Sequence, residues 1–459
     1  MTETTKTSAA KNSITEGTIW KQLLIFFFPI LLGTFFQQIY NTADAMVVGR
    51  FVGKEALACV GGSTAQIINL IVGFFVGLSS GATVVLAQYY GAKDENNVSR
   101  AMHTAAAFAI MGGLIITVLG IILTPQMLAL LNTPENLMEG SALYLRIYFA
   151  GAIFVFIYNI GSGLLRAVGD SKRPLYFLII CCCLNIILDL VLVVGAHMGV
   201  AGVAVGTFIS QGVSAILIII TLMRTKDMYQ LKPKRIHIYG SIFKSLLHIG
   251  LPAGLESVLY TISNMIIQAS LNSFGTDTVA AWTAYGKMDS MFWMVLSAFG
   301  ISITTFVGQN FGARKYDRMR KSVRVCLGLA IGVSLILTLF FIFLGQYVFM
   351  LFTTDTSVID IGMGIMRIML PGYTIYVFIE ILAGALRGTG DVIIPMIITC
   401  GGICVLRVVW ILIAMPMRPQ ISTIIFSYPI SWIITAVLFI LYYTFRQRQQ
   451  IRREKAEQA

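Results

Sequence analysis

Four side chains in the first half of the chain carry oxygen donors inside otherwise apolar stretches: Asp44, Asn185, Asp189 and Thr207. Asn185 and Asp189 are spaced i, i+4 and share one face of a helix. Two carboxylates, a carboxamide and a hydroxyl are hard donors that suit Na⁺ or a proton. Two carboxylates held close together in low dielectric cannot both stay ionised cheaply, so such a pair favours keeping one proton between them. A group of this kind would load a proton or cation on one side of a membrane and release it on the other. The alternative is that Asp44 and Asp189 lie at headgroup level, solvated or capping a helix.

The surroundings of these donors define the medium. The chain has 459 residues, 57% hydrophobic and 12% charged, with a mean hydropathy of +0.82. Soluble domains carry about 25% charged residues, so this chain cannot cover a water-facing surface and reads as an all-α polytopic membrane protein. Its 33 Lys and Arg exceed its 21 Asp and Glu. In a soluble protein that excess would suggest nucleic-acid binding, but the positive-inside rule gives it a simpler origin. The seven cysteines all fall in apolar stretches, and neither Cys181–Cys183 nor Cys400/Cys404 has the spacing or neighbours of a staple or metal shell. With the four histidines scattered, no cofactor or metal is expected beyond a coupling Na⁺. The polar first 18 residues or so lack the features of a removable signal peptide.

A bilayer core about 30 Å thick takes roughly 20 apolar residues per helix. Twelve stretches qualify: Leu23–Val48, Leu57–Ala87, Ala101–Leu123, Ala142–Leu165, Pro174–Val194, Val200–Met223, Leu246–Leu271, Val279–Val307, Val323–Leu344, Ile361–Leu386, Ile394–Met415 and Ile421–Phe445. Their loops leave no room for a soluble catalytic domain, and no enzyme activity is expected. The N-terminus, the loops after even-numbered spans and the C-terminal tail hold 25 of the 33 Lys and Arg; the loops after odd-numbered spans hold three, Arg50, Lys54 and Arg418. Both termini are therefore expected in the cytoplasm. At 1.5 Å per residue, Asp44, Asp189 and Thr207 lie about 6, 8 and 10 Å from the outer ends of their spans. Three helices thus bring donors to one depth.

The chain also repeats itself. Gln88-x-x-Gly91-Ala92-Lys93 recurs as Gln309-x-x-Gly312-Ala313-Arg314, an offset of 221. The same offset carries Arg146-Ile147-x-x-x-Gly151 onto Arg367-Ile368-x-x-x-Gly372, and Leu165-Arg166-x-x-Gly169-Asp170-x-x-x-Pro174 onto Leu386-Arg387-x-x-Gly390-Asp391-x-x-x-Pro395. Pro29 and Asn41 align with Pro252 and Asn264 at 223. Each unit has an even number of spans, so the copies are parallel and related by an axis along the membrane normal, as in transporters that hold substrate between two lobes. The expected divisions are a cytoplasmic segment 1–18, a first lobe 19–223, a basic linker 224–245, a second lobe 246–445 and a basic cytoplasmic tail 446–459.

These features resemble the multidrug and toxic compound extrusion (MATE) family, in a bacterial branch. The resemblance is carried by Pro29, by Gln37-Gln38-Ile39-Tyr40-Asn41 with Asp44, by Val48-Gly49-Arg50-Phe51-Val52-Gly53, by the paired Gln-x-x-Gly-Ala motifs and by the paired Leu-Arg-x-x-Gly-Asp motifs. It runs from about Thr18 to Phe445. It implies two six-helix lobes in a V, and export of organic cations or amphiphilic drugs by antiport with H⁺ or Na⁺ from the bacterial plasma membrane, in a monomer. In family members with a cation site in the first lobe, span 1 supplies an Asp, span 5 an Asn and an Asp four residues apart, and span 6 a Thr. Asp44, Asn185, Asp189 and Thr207 match those positions.

The second lobe does not copy this site: the offsets carry Asn185, Asp189 and Asp44 onto Leu406, Trp410 and Ile267. Its own membrane charges are Glu256, Lys287, Asp289, Glu380 and Arg407, read as a charge network. Glu256 and Arg407 lie about 15 and 20 Å up their spans, near enough to pair. Lys287 and Asp289, at i, i+2, point to different faces. Arg146 and Arg367 are expected to share a packing or snorkelling role. Arg166 with Asp170, and Arg387 with Asp391, are expected to clamp the inner gate or its loops.

The rival reading is a flippase for a lipid-linked precursor, whose cavity should carry several cations for a pyrophosphate. The charged residues of the first lobe's spans are mostly acidic, which favours cationic cargo. The 21 Met, 29 Phe, 18 Tyr and 5 Trp suit a promiscuous cavity with cation–π capacity, and they suit packing and lipid contact equally well.

Overall fold

The computed structural model describes residues 14–458. Most of the expected segment 1–18, and Ala459 of the tail, lie outside the described residues. In lipid every backbone N–H and C=O must be satisfied within the protein. All regular structure among the described residues is accordingly helical.

The first half comprises α1 (Ile19–Phe51), α2 (Lys54–Gly61), α3 (Ser63–Gly91), α4 (Glu95–Leu130), α5 (Glu135–Ala150), α6 (Ala152–Ala167), α7 (Lys172–Asp189) and α8 (Gly199–Arg224). The second half comprises α9 (Gly240–Asn272), α10 (Thr276–Gly312), α11 (Tyr316–Met350), α12 (Thr356–Gly388), α13 (Ile393–Thr399), α14 (Leu406–Met417) and α15 (Ile421–Gln458). Eleven helices are long and apolar enough to cross a membrane, and α5 with α6, bent by 47° at Gly151, makes a twelfth span. The helices overrun the apolar stretches. Helix α9 starts at Gly240, ahead of the apolar stretch from Leu246, and α15 continues through the basic tail to Gln458, because a charged residue ends an apolar window without ending a helix.

Two departures bear on function. After Asp189, α7 widens into a π-helical turn, Leu190–Gly195, and α13 joins α14 through a second one, Cys400–Val405. Such insertions concentrate at functional sites and rotate everything beyond them about the helix axis.

The ends of the chain segments bearing most of the Lys and Arg define a basic face, and the two halves meet there. Small residues make the seam: Gly81 of α3 leaves no room for a methyl against the Leu246 carbonyl of α9, and Gly250 of α9 leaves none against the Leu78 carbonyl. Phe27 of α1 stacks on Phe299 of α10, with ring centroids 4.0 Å apart. The repeated Gln-x-x-Gly motif closes the seam reciprocally. Gly91 abuts the Gln309 carbonyl, Gly312 abuts the Gln88 carbonyl, and a methyl at either glycine would collide with that backbone. Gln88 Nε2 donates to the Gly388 carbonyl at 2.9 Å, and Gln309 Nε2 donates to the Ala167 carbonyl at 2.6 Å. Lys93 and Arg314, equivalent in the repeat, both take left-handed φ values, 57° and 55°.

A strap precedes α1. Arg318 of α11 donates to the carbonyls of Ile14, Glu16 and Gly17 at 3.1, 2.9 and 2.8 Å, and Lys315 Nζ donates to the Thr15 carbonyl at 2.9 Å. The linker after α8 packs on the basic end of α4, where the Lys232 N–H donates to His103 Nε2 at 3.1 Å and the Tyr239 N–H to Thr104 Oγ1 at 3.2 Å.

Candidate ion-coupling site and central cavity

Three helices bring the first-half donors to one point. Asp44 lies on α1, Asn185 on α7, Asp189 at the last α-helical residue before the π turn, and Thr207 on α8. All four are at most 5% exposed, so a solvated headgroup position for the two carboxylates does not hold. Asn185 Nδ2 donates to Thr207 Oγ1 at 3.5 Å, and Thr207 Oγ1 donates to Asp44 Oδ2 at 3.4 Å. Asp44 Oδ1, Asn185 Oδ1 and both Asp189 carboxylate oxygens are buried with no hydrogen-bond donor among the described residues. Leaving such atoms unsatisfied costs about 1–3 kcal/mol each. The donor set fits Na⁺ or a proton, either of which would satisfy several of these oxygens together.

The packing around the group is close. On α8, a methyl at Gly206 would lie 2.6 Å from Asp189 Oδ1, so only glycine lets the carboxylate reach this position. Tyr40, one turn before Asp44, and Tyr144 of α5 are buried beside the carboxylates. The i, i+4 spacing of Tyr40 and Asp44 was a legible sign of Tyr40; nothing local pointed to Tyr144 or Gly206.

In the second half, Ile267 is fully buried and Trp410 Nε1 donates to the Thr423 carbonyl at 2.8 Å, so no equivalent donor set forms. The charges there are arranged differently from the expectation. Glu256 pairs with Arg387, Oε2 to Nη2 at 3.8 Å, and not with Arg407. The uniform rise that matched Glu256 to Arg407 fails because the π turn at Cys400–Val405 precedes Arg407. Fully buried, Arg407 faces α15 instead. Its Nε donates to Ser431 Oγ at 3.0 Å, and its guanidinium lies 4.1 Å from the Tyr428 ring centroid, with Tyr260 and Trp432 also beside it. Asp289 accepts from Trp293 Nε1 at 3.0 Å and from the Tyr373 hydroxyl, which also bonds Tyr285. Lys287 is exposed on another face and makes no ion pair among the described residues. Among the described residues, none of the five charges makes an ion pair with another of the five. Sequence spacing gave no sign of the aromatic box around Arg407, whose members come from distant spans.

Nor do the paired Arg and Asp motifs close on themselves. Gly169 and Gly390, at φ +97° and +87°, turn the chain between each Arg and its Asp. Asp170 caps the start of α7 through the Lys172 and Arg173 N–H groups and pairs with Arg173 at 3.2 Å. Asp391 pairs with Arg446 at 2.7 Å and accepts from the Tyr442 hydroxyl at 2.8 Å. Arg166 and Arg387 point the other way, into a cavity of about 460 Å³ between the two halves, with Glu256, Glu380, Trp293 and Tyr376 on its walls.

A family model, MatE, matches residues 29–191 and again residues 252–413. The chain belongs to the MATE family. The two matches fall on the two halves of the repeat, and the family consists of transporters, not enzymes. Among curated relatives, the probable multidrug resistance protein YoeA of Bacillus subtilis is 28% identical over 98% of this chain and 99% of its own. The multidrug export protein MepA of Staphylococcus aureus is 23% identical over 82% of this chain and 83% of its own. A MOP superfamily transporter from Pyrococcus furiosus shares the fold with a TM-score of 0.88 at 21% identity, covering 95% of this chain and 98% of that one. A multidrug resistance MATE family transporter solved in an outward-facing conformation gives the same TM-score over 95% and 97%. The twelve-span MATE architecture and its two-part repeat are thereby established.

Proposed function

We propose that this MATE transporter is a secondary active exporter of organic cations and amphiphilic drugs from the bacterial plasma membrane, working as a monomer with its basic face in the cytoplasm. Inward movement of H⁺ or Na⁺ through Asp44, Asn185, Asp189 and Thr207 drives export. The observation that carries this reading is the convergence of four buried oxygens without donors on the first-half site. A proton or cation arriving there draws α1, α7 and α8 together; its departure leaves the two carboxylates repelling each other, which favours a different packing of the same helices. The two halves act as lobes, 19–223 and 246–445, hinged through linker 224–245 and closed at the basic face by the Gln88 and Gln309 seam. The central cavity holds cargo, with aromatic walls at Trp293 and Tyr376 for flat rings and Glu256 and Glu380 for positive charge.

The flippase reading draws on Arg166 and Arg387 in the same cavity, but two glutamates balance them and leave no excess of positive charge for a pyrophosphate. The test is linked binding. Adding a dye cation such as ethidium to the detergent-solubilised protein should release protons or Na⁺ from wild type, and Asp189→Asn should release neither. Equal release from both proteins would remove the site from coupling.

A further inference from the structure

Away from the cavity, a groove of about 400 Å³ opens on the outer flank of the second half. Its walls are single helix faces: Arg320, Arg324 and Leu327 on α11, and Ile440 and Tyr443 on α15, with Phe378 of α12 at its back. The groove runs from the first turns of α11, at the basic face, toward the apolar interior. It borders lipid: Ile440 is 41% exposed and its neighbour Leu441 62% exposed. Its mouth is basic. Arg320 is neutralised by Glu454 at 3.0 Å and Asp317 at 2.7 Å, whereas Arg324 is exposed and has no ion pair among the described residues. Arg324 lies at the start of its apolar span, the depth of lipid headgroups, with exposed Lys321 nearby on the same helix. The Tyr443 hydroxyl accepts from Gln447 at 2.9 Å and keeps its own proton to donate.

We propose that this groove binds an anionic phospholipid of the leaflet at the basic face. Arg324 holds the phosphate, Tyr443 donates to it, and one acyl chain lies along Leu327, Phe378 and Ile440. A basic pocket between spanning helices with an apolar trough beneath it matches both parts of such a lipid. The lipid bridges α11 to α15 and so braces the basic end of the second half, independently of the ion site.

The test is thermal unfolding of the full-length protein in mild detergent, with added phosphatidylglycerol or phosphatidylcholine of the same chains. Phosphatidylglycerol should raise the midpoint of wild type, and phosphatidylcholine should not. Arg324→Gln should lose most of that rise, reflecting binding weaker by about fivefold. Leu327→Trp, which fills the trough and keeps the charge, should also lose it, while Arg448→Gln, an equal charge loss outside the groove, should keep it. An equal rise with phosphatidylcholine, a full rise in Arg324→Gln or Leu327→Trp, or an equal loss in Arg448→Gln would overturn the proposal.

Discussion

Gln88 and Gln309 make the same hydrogen bond in opposite directions. Each sends its side-chain amide across the seam to a carbonyl at an equivalent repeat position, Gly388 for one and Ala167 for the other. A buried hydrogen bond of this kind contributes about 1 kcal/mol. Gln88→Ala and Gln309→Ala should each ease opening at the basic face, with labelling of a cavity Ser80→Cys reporter by an impermeant maleimide in inside-out vesicles about fivefold faster. Gly91→Ala and Gly312→Ala should have a larger effect, because each added methyl meets backbone. Labelling unchanged in all four would mean that the seam does not control access.

Arg318 ties residues 14–17 to α11. Arg318→Gln removes that anchor, and hydrogen exchange at the start of α1 should accelerate relative to the rest of α1. Unaltered exchange there would show that the strap is held by other contacts.

Gly206 gives Asp189 its place. Gly206→Ala should lower ion-coupled transport about as far as Asp189→Asn while costing little stability, since alanine is the better helix former by up to about 1 kcal/mol. Normal transport in purified Gly206→Ala would show that the Asp189 position tolerates displacement.

Arg407 is planar and stacked, so lysine is not an equivalent replacement. Arg407→Lys should lower stability by about 1–2 kcal/mol through loss of the contact with Tyr428, measured as a fall in the thermal unfolding midpoint. A midpoint equal to wild type would mean that the aromatic box adds no stability.

Spans, repeat and first-half donors were legible because each depends on local spacing or on a fixed offset. Asp44, Asp189 and Thr207 could be placed at one depth by helical rise alone, since each lies within two turns of the outer end of its span, too short a distance for the π turn beyond Asp189 to displace it far. Arg407 could not, because a π turn intervenes and changes which neighbour it faces. Arg166 and Arg387 face the cavity while Asp170 and Asp391 do not, because a left-handed glycine between each Arg and Asp sends neighbours in sequence to opposite sides of the turn. Gly206 and Tyr144 matter only through contacts between helices, which no periodicity within one helix encodes.

The most direct test of the coupling claim is transport in proteoliposomes loaded with ethidium, with a proton gradient or a Na⁺ gradient imposed separately on wild type and Asp189→Asn. Dye movement under one gradient, absent in the variant, is the predicted result and names the ion. Full gradient-driven movement by Asp189→Asn would contradict the account.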